Sequence, residues 1–218
     1  MSDGLRARWL GRISFGDGLA LQEDLVARKR ADAAVGDELL LLEHEPVYTI
    51  GRTTDQSSLR DAAQLPHPLF PTNRGGQATY HGPGQLVGYP IIDLRRHAQD
   101  LHRYLRWIED VLSELLGGYG IDARTRSGLT GVWVEDRKIA SIGVGVRQWI
   151  TMHGFALNVG GDLAPFSHIV PCGIANITMT SIEKESGQPS TVEAVAMRAG
   201  EVFARRMPEL ALQRSFMM

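Results

Sequence analysis

Three predicted strands follow one another with no helix between them, and this order limits the fold more than any other feature of the sequence. They cover residues 130–134, 139–146 and 149–159, which are rich in β-branched and apolar side chains. A polar turn at residues 135–137 joins the first two strands as a hairpin. This part of the chain therefore favours antiparallel pairing.

Helices are predicted in three separate places. The clearest covers residues 101–116, where apolar side chains recur at three- and four-residue steps along one face. An earlier helix is predicted at residues 19–35 and ends at Gly36. A capping box of Ser190 and Glu193 is expected to open the last helix.

Further strands lie between these helices, at residues 8–14, 38–43, 47–50 and 86–94. Helices that fall early, in the middle and late among runs of adjacent strands are typical of an α+β fold. We therefore expect a mixed, largely antiparallel sheet flanked by helices, and not a doubly wound parallel sheet.

Charge and hydropathy argue against two classes of partner. The formal net charge is −2 and the charges of both signs are interspersed, whereas nucleic-acid-binding domains usually concentrate basic residues on one face. No stretch approaches the ~18 consecutive apolar residues of a membrane-spanning helix. We expect no nucleic-acid partner, no membrane association and a cytoplasmic location.

The chain contains one cysteine, Cys172, which excludes an intrachain disulfide and a four-thiolate zinc site. The histidines form neither HxxxH nor HExxH, so no metal site is expected. Between Pro171 and Gly173, Cys172 is either a nucleophile presented at a tight turn or a small buried apolar side chain. On sequence alone, His81 or His168 could pair with it as in Cys–His enzymes.

A second unusual segment, residues 74–84, combines four glycines with directed polar side chains. Glycines let a backbone approach a ligand closely, and the polar groups supply hydrogen bonds. The phosphate-loop and dinucleotide-binding glycine patterns are both absent. The segment is therefore either a ligand-binding loop or a connector that carries a surface histidine.

Lys138 opens the second of the three sequential strands, and taken alone it is typical of a solvated lysine after a turn. Small residues then recur along this strand, and residues 153–156 have the same character. Strands with few bulky side chains leave room for a ligand such as an acyl chain. The alternative is tight packing against a helix.

Four segments taken together resemble the lipoyl(octanoyl) transferase family. They are RGGQATYHGPGQLVGYPIIDL at 74–94, GVWVEDRKIASIGVGV at 131–146, HGFALNV at 153–159 and IVPCGI at 169–174. They occur in family order with family-like spacing, and the flanking elements extend the similarity over nearly the whole chain. Gly145 and Met152 depart from the pattern, since bulkier or more polar residues are expected there.

The resemblance implies one octanoyltransferase catalytic domain over residues 1–218, with the fold of the biotin and lipoate protein ligases. It implies that Cys172 is the acyl-thioester nucleophile and that Lys138 activates it. The implied substrate pocket is formed by Arg74, Gly75, Gly76, Gln77, Ala78, Thr79, Tyr80, His81, Ser141, Ile142, Gly143, Gly154, Phe155 and Ala156.

The implied reaction transfers octanoyl from octanoyl-acyl carrier protein to a lysine of a lipoyl domain, by way of a thioester. The implied acceptors are the lipoyl domains of 2-oxoacid dehydrogenase E2 subunits and the glycine cleavage H protein. Conversion of a thioester into an amide is downhill, so neither ATP nor another cofactor is expected. The competing hypotheses are an ATP-dependent lipoate or biotin ligase, a non-enzymatic module that binds lipoyl domains or acyl carriers, and a Cys–His hydrolase that releases free acid.

Overall fold

The computed structural model describes residues 4–52, 55, 57–59, 61–170 and 177–211. The strands found there are β1 (Arg6–Ile13), β2 (Glu38–His44), β3 (Val47–Ile50), β4 (Leu69–Pro71), β5 (Thr79–His81), β6 (Gln85–Ile91), β7 (Arg124–Arg126), β8 (Leu129–Val134), β9 (Arg137–Arg147), β10 (Ile150–Asn158) and β11 (Thr178–Met179). The helices are α1 (Phe15–Ala31), α2 (Leu101–Gly117), α3 (Ile182–Ser186) and α4 (Val192–Arg206).

The main sheet has the strand order β1-β2-β6-β10-β9-β8-β7, with β11 beside β9. Strand β1 pairs in parallel with β2, and β11 pairs in parallel with β9. The pairs β2–β6, β6–β10, β10–β9, β9–β8 and β8–β7 are all antiparallel. The expected mixed, largely antiparallel sheet is therefore confirmed.

Helices cover both faces of the main sheet. Leu39 and Leu41 of β2 pack in the larger core with α2 and α4, whereas Leu40 and Leu42 pack in a second core with Leu25 of α1. Successive side chains of a strand point to opposite faces. This explains why the predicted strand is apolar at consecutive positions rather than at alternate ones.

Two helix starts differ from the sequence prediction. Helix α1 begins at Phe15, not at residue 19, because the Ser14 side chain accepts the Asp17 N–H at 3.1 Å and caps the first turn. The capping box predicted at Ser190 and Glu193 is wrong. Thr191 is the N-cap of α4, since its hydroxyl accepts the Ala194 N–H at 3.2 Å.

A smaller sheet, in the order β4-β3-β5, lies beside the main one. Strand β5 occupies the middle of the glycine-rich segment and pairs antiparallel with β3. Tyr48, Ala78, Tyr80, Phe166 and Ile169 form the apolar cluster behind this sheet. Among the described residues no helix is long and apolar enough to cross a membrane.

Candidate active site

A cleft opens where the glycine-rich segment meets strands β9 and β10. It encloses about 490 Å³, part of which is open to solvent. The predicted pocket residues that line it are Arg74, Gly76, Gln77, Thr79, His81, Ser141, Ile142, Gly143, Gly154, Phe155 and Ala156. Sequence analysis missed Phe15, Thr49, Val87, Tyr89 and His153, which also line it. Three predicted segments are thus brought together at one cavity.

Three predicted pocket residues lie elsewhere. Ala78 and Tyr80 belong to the apolar cluster behind β5, because they alternate along the strand with Thr79 and His81. Gly75 lines an adjoining groove between the start of α2 and strands β8 and β9. Because side chains alternate between the two faces of a strand, residues that the sequence presented as one loop lie on opposite sides of β5.

The Arg74 side chain holds the glycine-rich segment against β3. Its guanidinium donates to the Thr49 carbonyl at 3.0 Å, to the Thr49 hydroxyl at 2.9 Å and to the Gly75 carbonyl at 2.9 Å. A planar guanidinium presents several donors in a fixed geometry. Arg74 consequently shapes the wall of the cleft in addition to bordering it.

Small residues of β9 and β10 face each other across the cleft wall. Gly143 pairs with Gly154, and Ser141 pairs with Ala156. A Cβ at Gly154 would lie 2.3 Å from the Gly88 carbonyl oxygen, so this glycine is required for close packing against β6. The two departures from the family pattern, Gly145 and Met152, pair with each other farther along the same strands.

Three residues that line the cleft each have a buried side-chain atom without a hydrogen-bond partner in the described part of the chain. These atoms are the side-chain carbonyl oxygen of Gln77 and the hydroxyl oxygens of Thr79 and Ser141. Buried polar groups are normally paired, so these three atoms are suited to polar atoms of a bound molecule. The same part of the chain contains no cluster of His, Cys, Asp or Glu side chains that could hold a metal ion.

A side chain at Gly143 is expected to obstruct the cleft. A Cβ there would lie 3.0 Å from the Gly75 carbonyl oxygen and 3.1 Å from Arg74 Cδ. We expect Gly143→Val to lower turnover at the cleft by about tenfold or more, because the added side chain occupies space that a ligand would fill and each ~1.4 kcal/mol lost in the transition state is a tenfold loss of rate. The matched control is Gly36→Val, where a Cβ meets nothing within 4 Å. Equal turnover by the two folded variants would show that Gly143 does not border the space that the ligand occupies.

His81 and His153 line the cleft, and a third buried histidine, His44, packs against Tyr89 and the His81 ring. Burial lowers the pKa of His81 to about 3, and it lowers the pKa of His44 and of His153 to about 4. His81 lies between Gln85 and Thr49, at 2.8 and 3.3 Å, and His44 contacts the Tyr89 hydroxyl at 2.7 Å. These rings are neutral at pH 7 and therefore present a polar but uncharged surface.

Stability is expected to fall in mild acid because of these histidines. An unfolded histidine has a pKa near 6.5, so below that pH the unfolded chain binds protons that the folded chain does not. The free energy of unfolding should therefore decrease between pH 6.5 and about 4, by about 2 kcal/mol or more for each histidine, and recover as the pH returns to 7. Thermal unfolding across this range measures the slope.

His44→Gln should flatten that slope, whereas the same change at exposed His102 should leave it unaltered. Identical slopes for wild type and His44→Gln would contradict the assignment of the slope to the buried histidines.

Lys138 is completely buried, and the interpretation of it as a solvated lysine after a turn is therefore wrong. Its amine donates to the Thr130 carbonyl at 3.0 Å and lies 5.1 Å from the centre of the Trp133 ring. On β9 it precedes the cleft residue Ser141 by three positions. Met179 of β11 pairs with its backbone.

Cys172 lies outside the described residues, within residues 171–176. On one side of this segment, the Val170 N–H donates to the Ser58 carbonyl at 2.8 Å. On the other side, Thr178 and Met179 pair with Arg137 and Lys138. The chain that carries Cys172 therefore joins the main sheet at the backbone of Lys138.

Comparison with solved structures defines the class of fold. The bi-partite lipoate protein ligase of Thermoplasma acidophilum, solved in work that includes its E2 lipoyl domain, superposes with a TM-score of 0.71 at 18% identity over 94% of this chain and 84% of that one. The biotin protein ligase of Aquifex aeolicus in complex with biotin and ATP gives 0.56 at 14% identity over 95% and 72%. The fold is that of the lipoate and biotin protein ligases, as the resemblance implied.

The family follows from sequence comparison. Residues 15–204 match the model of the lipoyl protein ligase A/B catalytic domain. An octanoyltransferase of Geobacter sulfurreducens is 50% identical over 195 residues, which are 89% of this chain and 81% of the relative. The chain belongs to the lipoyl protein ligase A/B catalytic domain family, within its octanoyltransferases. It is an acyltransferase that moves octanoyl groups for protein lipoylation.

Proposed function

We propose that this enzyme takes octanoyl from octanoyl-acyl carrier protein onto Cys172 and then passes it to a lysine amine of a lipoyl domain. The observation that carries the proposal is the complete burial of Lys138 on the strand that borders the cleft. Lysine is almost never fully buried unless it is paired. A buried ammonium near a thiol is a known means of generating a thiolate.

The position of Lys138 relative to β11 supports this pairing. Met179, whose backbone pairs with Lys138, follows Cys172 by seven residues. Seven residues span at most about 25 Å even when fully extended. This length of chain is compatible with a position of Cys172 beside Lys138 and the cleft, which the proposal requires.

The first half-reaction forms a thioester and releases a thiol. The Cys172 thiolate attacks the octanoyl carbonyl, a new S–C bond forms, and the carrier thiolate leaves and takes up a proton. Backbone N–H groups, with Gly173 among the candidates, stabilise the oxyanion. Because one thioester replaces another, this step is close to thermoneutral.

The second half-reaction forms an amide. The neutral lysine amine of the acceptor attacks the acyl-enzyme, the C–S bond breaks, and the amine loses a proton that returns the Cys172 sulfur to its thiol form or leaves to solvent. An amide is more stable than a thioester, which drives the reaction without ATP. In the proposed site, Lys138 carries that proton.

The octanoyl chain is proposed to occupy the cleft between the glycine-rich segment and β9–β10. Ile142, Phe155 and Ala156 supply apolar wall, and the neutral histidines avoid fixed charge beside the chain. Ser141, Thr79 and Gln77 have hydrogen-bonding capacity for the thioester carbonyl or for the adjoining amides of the donor. Of the other predicted pocket residues, Ala78 and Tyr80 pack behind the cleft and Gly75 lines the adjoining groove.

The proposed acceptors are the lipoyl domains of 2-oxoacid dehydrogenase E2 subunits and the glycine cleavage H protein. The archaeal lipoate protein ligase of the same fold was studied together with its E2 lipoyl domain. That work concerns the archaeal protein, and it supports the same class of acceptor here.

The test is intact-protein mass spectrometry without ATP. Mixing the enzyme with octanoyl-acyl carrier protein should add one octanoyl mass to it, and subsequent addition of a lipoyl domain should move that mass onto the acceptor. A requirement for ATP would favour a ligase, release of free octanoate would favour a hydrolase, and binding with no mass change would favour a non-enzymatic module.

A further inference from the structure

Glu109 is a fully buried carboxylate that the proposed acyl transfer does not use. It lies on α2, where Oε1 accepts the Gly131 N–H at 2.8 Å and Oε2 accepts from the Arg106 guanidinium at 2.5 Å. Burial raises the pKa of Glu109, whereas the Gly131 N–H and the Arg106 guanidinium oppose that shift and favour the ionised form. A buried carboxylate requires hydrogen-bond donors. Of the two donors to Glu109, one is the backbone N–H of Gly131 in β8.

That amide belongs to the peptide group that holds Lys138. The carbonyl of Thr130 and the N–H of Gly131 are the two ends of one peptide bond. The Lys138 ammonium donates to this carbonyl at 3.0 Å, while Glu109 accepts from this N–H at 2.8 Å. One planar peptide group therefore links the ammonium to the carboxylate.

Such a link strengthens both hydrogen bonds. An anion on the N–H side polarises the peptide and makes its carbonyl a better acceptor for a cation. Hydrogen bonds with a charged partner are also shorter and stronger than neutral ones. The carboxylate thus fixes the peptide plane, and the peptide plane fixes the ammonium.

Gly131 makes the arrangement sterically possible. Its φ is +126°, and a Cβ there would lie 2.6 Å from Lys138 Cε and 3.1 Å from Nζ. The residue whose N–H is held by Glu109 is thus also the one whose missing side chain leaves space for the Lys138 amine. Among the described residues, the other charged groups around this pair include Arg106 and Asp110, which both act on Glu109. Arg126 lies 5.2 Å from the centre of the Trp133 ring.

We propose that Glu109 is a positioning residue for acyl transfer, and that it holds the Lys138 ammonium in place through the Thr130–Gly131 peptide group. This inference rests on the proposed role of Lys138. It assigns a function in the reaction to a helix that otherwise packs the core.

The experiment compares the pH dependence of iodoacetamide alkylation of Cys172 in wild type and in five variants, one of which is Lys138→Met alone. Glu109→Met fills the same space but accepts no hydrogen bond from Gly131. Its alkylation profile should move to higher pH by about half a unit, which corresponds to an alkylation rate about threefold lower at pH 7. Glu109→Gln retains an acceptor oxygen for the Gly131 N–H but loses the charge, so it should displace the profile less than Glu109→Met does. Glu114→Met, on an exposed part of α2, is the matched control.

The fourth variant combines Glu109→Met with Lys138→Met. If Glu109 acts through Lys138, the double variant should show the profile of Lys138→Met alone. An additional displacement in the double variant, a Glu109→Met profile equal to wild type, or a Glu109→Gln profile as displaced as that of Glu109→Met would each overturn the inference. If Glu109→Met does not fold, Glu109→Ala takes its place in every comparison.

The same alkylation profiles distinguish a failure of the role of Glu109 from a failure of the proposed role of Lys138. A displaced Lys138→Met profile with an undisplaced Glu109→Met profile removes the role of Glu109 and leaves the proposed function intact. An undisplaced Lys138→Met profile removes the activating role of Lys138, and the role of Glu109 with it.

Discussion

Cys172→Ser is expected to abolish the octanoyl thioester on the enzyme and to lower octanoyl transfer by roughly a thousandfold or more, as is usual when a nucleophile is removed. A thiol is partly ionised near neutral pH, whereas a serine hydroxyl is not and is therefore a much weaker nucleophile. The measurement is intact-protein mass spectrometry after incubation with octanoyl-acyl carrier protein. The wild-type adduct should be removed by hydroxylamine, as expected of a thioester.

The site of the thioester needs no further control, because Cys172 is the only cysteine in the sequence. Any thioester on the wild-type enzyme must therefore be at this residue. Cys172→Ala serves as a second variant that cannot form even an oxyester. Wild-type enzyme that transfers octanoyl at full rate without ever carrying the added mass would exclude the covalent route and favour direct attack by the acceptor amine.

Local sequence was sufficient to predict those helices and strands whose structure follows from their own pattern of apolar residues. The apolar stripe of α2 predicted a helix at residues 101–116, and the structure has Leu101–Gly117. The run Leu39–Leu42 predicted a buried strand, and β2 is buried on both faces. These patterns succeed because the spacing of apolar side chains reports directly on which faces are covered.

Local sequence did not predict features that depend on contacts with residues far away in the chain. A lysine after a turn is ordinarily solvated, and the burial of Lys138 depends on Thr130, Trp133 and the space left at Gly131. The glycine-rich segment likewise read as a loop, because the strand within it is formed by pairing with β3, some thirty residues earlier. In both cases the missing information is a tertiary contact.

The candidate site was also predicted in part from sequence and in part only from the tertiary structure. Resemblance supplied the segments that meet at the cleft, but it did not separate Thr79 and His81, which line it, from Ala78 and Tyr80, which pack behind it. That separation follows from the two-residue period once β5 is known to be a strand. Thr49 lies outside the four segments and enters the site through its hydrogen bonds with Arg74. His153 opens the segment 153–159, but the resemblance assigned only residues 154–156 of it to the pocket.

Lys138→Met is expected to raise the pKa of the Cys172 thiol by one or more units and to slow octanoyl-enzyme formation at pH 7 by about tenfold or more. A free cysteine has a pKa of about 8.5, so only a few per cent is thiolate at neutral pH. A neighbouring ammonium stabilises the thiolate, and each unit is worth about 1.4 kcal/mol. Methionine preserves most of the buried volume while it removes the charge, so loss of packing contributes little.

The measurement is again the pH dependence of iodoacetamide alkylation, which reports on Cys172 alone because no other thiol is present. Lys184→Met, near the start of α3, is the matched control and should leave the profile unchanged. Lys138→Arg should retain part of the effect on the thiol pKa, because it keeps the charge. It should nevertheless transfer octanoyl slowly, since a guanidinium does not release protons in this pH range and has to fit against Gly131 and Trp133.

Coincident profiles for wild type, Lys138→Met and Lys138→Arg would exclude Lys138 as the activating group. The alternatives would then be the two histidines considered from the sequence, and the structure separates them. His81 is buried between Gln85 and Thr49, and its pKa of about 3 leaves it uncharged at pH 7, so it cannot supply the cation. His168 is exposed and precedes Cys172 by four residues, which makes it the next residue to replace.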